Sequence, residues 1–430
     1  MFKGHKINAC VAILLGLFSL AARAELTVQI TQGAEGGIPI AIVPFSGQGG
    51  LGSENIGSIV SADLGRTGRF KTLPEQAMPE QPTTPEQVQF GTWKSLGQDN
   101  LVIGQVRPGG AGQYVAQFFL FDAVRGTLLT SMNVPFAAPE LRKAAHRIAD
   151  IIYQQLTGEP GAFDTRVAYV TVTGEGSRNR QYRLQIADTD GFNPQSIINS
   201  REPVMSPAWS PDGRQIAYVS FENKTAAIFV QTLATGDRQK ISELPGINGA
   251  PAWSPDGSQL AMTLSKDGNP DIYVMSLASR SLRRITDNLA IDTEPTWCRD
   301  GRSIVFTSDR GGKPQLYMVP AAGGEPKRIT FDGDYNARGV FSPDGKSLAM
   351  VHGNGNNYRI GVMDMGTGQI RVVSKGPLDE SPGFAPNGSM ILYASRDGGT
   401  GQLSAVSVDG KVRQSLRIEG GEVRQPAWSP

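Results

Sequence analysis

Two cysteines and three histidines are all that the 430 residues contain. Cys10 and His5 lie in an N-terminal stretch that reads as a removable leader, leaving Cys298, His146 and His352 for the rest of the chain. A lone cysteine closes no internal disulfide, and a large β-core can do without one. These few residues also make no Cys/His pair with metal-ligand spacing. No Gly-x-Ser-x-Gly elbow and no Walker A sequence occurs. Neither sign of charge is in excess, with 41 Lys and Arg against 40 Asp and Glu, which argues against nucleic acid as a partner. The one long apolar run, residues 9–20, follows the basic start Met-Phe-Lys-Gly-His-Lys and precedes Ala22-Arg23-Ala24, an A-x-A cleavage pattern. Residues 1–24 therefore read as a secretory signal peptide and not a membrane span. Cys10 stands at the start of the apolar run and not after it, which speaks against a lipid anchor. Cleavage near Ala24 removes Lys3, Lys6 and Arg23 and takes the formal charge from +1 to −2.

What the chain does have is a phrase written three times. Pro-Ala-Trp-Ser-Pro stands at residues 207–211, 251–255 and 426–430, with weaker copies between. The aromatic marker falls at Trp209, Trp253, Trp297, Phe341, Phe384 and Trp428, at spacings of 44, 44, 44, 43 and 44 residues. A Ser-Pro-Asp-Gly turn or a relative follows, and Asp-Gly tolerates the positive φ of a tight hairpin. Three short apolar or alternating runs complete each period. Four antiparallel strands in a unit of this length are a propeller blade. Residues 166–170 are a second strand with no first, and residues 426–430 are a first strand with nothing after. Joining them closes a ring of six blades over residues 161–430 and leaves no open edge. The Trp, Pro and Gly residues are thereby blade builders, not a cofactor box.

Residues 25–160 carry no repeat. Residues 38–45 read as a buried strand, and Ile56, Ile59, Val60 and Leu64 recur at helical spacing. Residues 101–103, 114–121 and 127–134 read as further strands. Pro139 opens a second helix with Leu141, Ala145, Ile148, Ile152 and Leu156 on one face and Gly158 as its stop. The expected fold is thus an α/β N-terminal domain followed by an all-β six-bladed propeller. The proline-rich stretch 73–85 reads as a surface loop. His146 is expected at the solvated edge of the second helix, and His352 after a strand, leading into a plain turn. The Gly-Gly-Ala-Gly run at 109–112 links two strands and cradles no phosphate. No catalytic residue, cofactor or metal site is expected.

An exported chain with this domain order resembles the TolB family, periplasmic components of the Tol–Pal system of Gram-negative bacteria. The likeness rests on the signal peptide, Glu25-Leu-Thr-Val-Gln-Ile30, Ile-Val-Pro-Phe45, the phrase at 248–257, Thr293-Glu-Pro-Thr-Trp297 and the terminal Pro-Ala-Trp-Ser-Pro. It implies a non-enzymatic adaptor that binds the lipoprotein Pal through the propeller and TolA through its N-terminal segment. Such an adaptor maintains outer-membrane integrity and aids constriction at division, and colicins and phage exploit it in related bacteria. The alternative is a propeller enzyme or lectin acting on envelope material.

Two sites follow. Blade topology puts the loops from each outermost strand to the next innermost strand around one channel mouth, opposite the Ser-Pro-Asp-Gly turns. Met205, Ser206, Ile247, Asn248, Ala250, Asp292, Thr293, Glu294, Tyr335, Arg338, Asp379 and Glu380 should ring that mouth. The resemblance makes it the Pal site, with Ile247, Ala250, Thr293 and Glu294 at matching positions. In the segment Glu25, Leu26, Thr27, Val28, Gln29, Ile30, apolar residues alternate with polar ones. That pattern fits a docking strand for TolA, or an edge strand of, or strap on, the N-terminal domain, with Gly33, Gly36 and Gly37 as a tether.

Overall fold

The computed structural model describes residues 26–32, 36–174, 176–397, 400–418 and 421–430. The signal peptide, Glu25 and Gly33 lie outside them. Near the N-terminus a five-stranded mixed sheet runs in the order β3-β2-β4-β5-β6. Its strands are β2 (Ile38–Ile42), β3 (Phe70–Thr72), β4 (Asn100–Gly110), β5 (Gln113–Asp122) and β6 (Thr127–Ala137). Two helices cover one face, α1 (Ile56–Arg66) and α3 (Leu141–Thr157). Asn55 caps α1 by accepting from Gly57 N at 2.8 Å, and Gly158 ends α3 at φ 77°. Sequence reading missed the short helix α2 (Phe90–Ser95), whose Trp93 fills the other face of the sheet. Six residues are too few to print a helical period.

Six four-stranded antiparallel sheets follow as the blades of a propeller. We number them by their innermost strands: Glu422–Trp428 for blade 1, then Val204–Trp209, Asn248–Trp253, Asp292–Trp297, Tyr335–Phe341 and Asp379–Phe384 for blades 2 to 6. Blade 1 is built from both ends of the ring. Its C-terminal strand lies antiparallel to Arg166–Thr173, pairing Trp428 with Val167. Ser429 N donates to Arg166 O, and Arg166 N donates to Ser429 Oγ at 2.9 Å.

The repeated phrase explains itself in three dimensions. Three tryptophan indole N–H groups donate to the alanine carbonyl of the phrase before them: Trp253 to Ala208, Trp297 to Ala252, and Trp209 to Ala427 across the closure. The phrase thus supplies both the backbone acceptor and the indole donor that tie one blade to the next. In the turns Ser210, Ser254 and Ser342 donate to Asp212, Asp256 and Asp344, and glycines at φ between 66° and 74° complete them.

The segment β1 (Leu26–Gln32) departs from expectation. It belongs to neither edge of the N-terminal sheet. It pairs antiparallel with Arg413–Ile418, the outermost strand of blade 6, with Val28 opposite Leu416, and makes that blade five-stranded. An outermost blade strand leaves one row of backbone groups unpaired, and an alternating segment is suited to fill it.

Candidate functional site: the channel mouth

Each innermost strand contains a bulge, and the bulge sets the channel wall. Three residues before every aromatic marker the backbone turns left-handed without glycine: Ser206 (φ 52°), Ala250 (47°), Glu294 (54°), Arg338 (54°), Ser381 (57°) and Gln425 (50°). Such a conformation is unusual for these residue types. Repetition in all six blades marks it as a constructional rule. Ser206, Ala250, Glu294 and Arg338 line both cavities of the channel, one of about 810 Å³ and one of about 600 Å³, so the ring is its waist. The smaller cavity opens among the turn prolines Pro211, Pro255, Pro343, Pro386 and Pro430. The larger opens among Phe221, Leu244 and Ile247.

Apart from Ala250 the waist residues are polar, and several bond to one another. Arg338 faces Glu294 at 3.2 Å and donates to Ser381 Oγ at 2.6 Å. Thr307 donates to Glu294 Oε2 at 3.0 Å, and Gln425 Oε1 accepts from Ser206 N at 2.7 Å. Thr293, which lines the larger cavity, is met by Thr263 at 3.3 Å.

The expected mouth residues divide into two sets. All but Ile247 lie inside innermost strands and not in loops. Asn248, Asp292 and Asp379 are fully buried, five residues before their aromatic markers, as is Asn336 in blade 5. Asn248 accepts from Ser242 and Leu244 N, Asp292 from Arg310, and Asp379 from Ser374 and Gly376 N. Their buried side chains are engaged in these bonds beneath the mouth. Met205, Ser206, Ala250, Thr293, Glu294, Tyr335, Arg338 and Glu380 stay partly exposed, and Tyr335 packs edge-on against Tyr358 at 5.1 Å.

Sequence reading overlooked Ser381 and Gln425, the last two members of the waist ring. It also overlooked the apolar residues that the loops hold out: Leu289 (98 % exposed), Phe331 (72 %), Ile291 and Leu378, beside Ile247. The signal was present as an aliphatic or phenyl residue in four successive outer-to-inner loops.

Both histidines sit elsewhere than expected. His352 lies within the strand Ser347–Asn354, half-buried, 2.9 Å from Asn336 Oδ1. Burial lowers its pKa. His146 is fully buried where α3 meets the propeller, with Asp63 of α1 and Asp190 of blade 1. These three present ligand atoms within 4.8 Å of one another. Arg66 and Arg142 already pair the two carboxylates, which leaves little charge for a metal ion. No helix among the described residues is long and apolar enough to cross a membrane.

Residues 26–129 match the family model for the TolB amino-terminal domain, and residues 153–430 match that for the TolB β-propeller domain. The Tol-Pal system protein TolB of Methylococcus capsulatus is 71% identical over 430 residues, covering 100% of both chains. Its counterpart in Thioalkalivibrio sulfidiphilus is 61% identical, covering 99% of this chain and 98% of that one. The crystal structure of TolB from Acinetobacter baumannii superposes with a TM-score of 0.87 at 43% identity, over 94% of this chain and 100% of the other. With both parts matched in order and relatives this similar along their full length, the chain belongs to the TolB family.

Proposed function

We propose that the protein is a periplasmic, non-enzymatic adaptor of the Tol–Pal system that receives Pal on the larger channel mouth and TolA on the N-terminal segment. Through these partners it maintains outer-membrane integrity and supports envelope constriction at division. The observation that carries the Pal reading is the mouth itself. Ile247, Leu289, Ile291, Phe331 and Leu378 stand exposed on four successive outer-to-inner loops, and Ile247 borders a cavity of about 810 Å³. Apolar side chains clustered on one face, above a polar floor, fit a protein partner better than a small polar substrate. The Glu294–Arg338 pair is satisfied internally and by Thr307 and Ser381, which suits a recognition floor. Membership of a family whose relatives are named for the Tol–Pal system supports the partner assignment.

Glu294→Arg should set two guanidiniums against each other at the waist, and Ala250→Trp should fill it. Arg and Gln hold the same left-handed position in sister blades, so neither substitution demands a new backbone. Each variant should weaken Pal binding by at least about 1–3 kcal/mol in calorimetry while the melting curve keeps its shape. Pal binding of wild-type strength in both variants would place the partner on another face.

A further inference from the structure

Among the contacts that fasten the N-terminal domain to the propeller is a small charged cluster with His146 at its centre. From α1 come Asp63 and Arg66, and from α3 come Arg142, His146 and Asp150. Blade 1 contributes Asp188 and Asp190, and the connecting chain contributes Asp164, paired with Arg147. Arg142 spans the seam, binding Asp190 and lying 4.0 Å above the Phe192 ring while its other side holds Glu54.

The two ring nitrogens of His146 have unequal surroundings. Nδ1 is 2.6 Å from Asp63 Oδ2, so it carries the proton and donates. Nε2 is buried without a hydrogen-bond partner and lies 3.8 Å from Asp190 Oδ2, across the seam. In the neutral ring a lone pair therefore faces a carboxylate. In the imidazolium an N–H faces it, with Asp190 the acceptor within reach. A small closing motion would make that contact a charge-assisted hydrogen bond.

We propose that His146 is a proton-operated latch between the two domains: its imidazolium bridges Asp63 of the N-terminal domain and Asp190 of the propeller, and loss of the proton releases the propeller side. Burial by itself would lower the pKa of this ring. The hydrogen bond to Asp63 and the charges of Asp63 and Asp190 overcome that, and the proton is held above the ordinary value of 6.5. A raised pKa puts the sign beyond choice. The stabilisation is complete below about pH 6.5 and fades as pH rises through the higher folded value. Asp150, whose carboxylate accepts from Phe163 N and Asp164 N, works in the same direction, since burial pushes it up to about 6. Asp190 is held low by Arg66, His146 and Arg142 against its burial, so it stays ionised throughout this window.

The ring can be followed directly, because His352 is the one other histidine after the leader. In the full mature protein the NMR titration of His146 should give a pKa above 6.5. Asp190→Asn should lower it by about one unit, a tenfold loss of proton affinity. Amide exchange, corrected for intrinsic chemistry, should speed up about tenfold at residues 161–165 and 188–192 between pH 6 and 8. An Asp150→Asn background removes the competing titration. In that background His146→Gln should abolish the pH dependence, while protection in the strand Ser303–Ser308 of blade 4 stays constant in every variant. An unchanged ring pKa in Asp190→Asn, the same pH dependence in His146→Gln, or loss of protection throughout the propeller would each overturn the latch.

Discussion

Deleting residues 426–430 should cost at least about 3 kcal/mol and lower the melting temperature by roughly 5–10 °C. The loss is large because five residues serve three neighbours. Trp428 packs with Val167, Tyr169 and Met390 and donates its indole N–H to Thr165 Oγ1 at 2.9 Å. Ala427 gives up its carbonyl to the Trp209 indole of blade 2. Ser429 holds Arg166 at the start of the adjacent strand. Without them, blade 1 presents a bare inner edge and blade 2 loses its indole acceptor, so the ring opens where its two ends meet. Differential scanning calorimetry decides the matter, and a melting temperature equal to that of the full chain would mean the ring closes by other contacts.

Removing residues 25–30 should abolish TolA binding while Pal binding and the melting temperature of the propeller change little. β1 is the end strand of its sheet, paired on one side alone to Arg413–Ile418. It can therefore meet a partner's sheet in two ways: by offering its open edge where it lies, or by leaving blade 6 and pairing elsewhere. In the second case TolA competes with the protein's own sheet, and anything that steadies β1 on blade 6 must weaken TolA by the same factor that TolA weakens it. A disulfide between Val28→Cys and Leu416→Cys, opposite one another in register, separates the two. TolA binding that survives the cross-link means addition to the open edge, and binding that disappears until reduction means release. Undiminished TolA affinity in the truncated protein would make β1 a structural strand.

The propeller was legible because its determinants are local and repeated. A tryptophan or phenylalanine recurring six times at near-constant spacing, with prolines beside it and Asp-Gly or Asn-Gly turns after most copies, prints the blades, and the mismatch at the two ends prints the closure. The waist was half legible. Its position is constant, three residues before each aromatic marker, but its occupants Ser, Ala, Glu, Arg, Ser and Gln have no chemistry in common. Five residues before the marker four blades agree: Asn248, Asp292, Asn336 and Asp379 are alike and buried, the mark of a structural role, whereas sequence reading put Asn248, Asp292 and Asp379 at the open mouth. His146 could not be placed from its own helix, where it lies beside the apolar stripe. Its burial is decided by Asp63, 83 residues earlier, and by a turn of blade 1 that docks on α3. The edge taken by β1 was likewise hidden, since its strand partner begins almost four hundred residues downstream.

The six bulges have one more consequence. A side chain at a left-handed bulge is aimed by its own backbone, and its identity matters little to the packing behind it. Folding therefore imposes almost no vocabulary at these six points. The hydroxyls, acid, base, amide and methyl that stand there form a six-letter word on a fixed line. Lineages could rewrite that word to follow a changing partner without renegotiating the architecture that displays it.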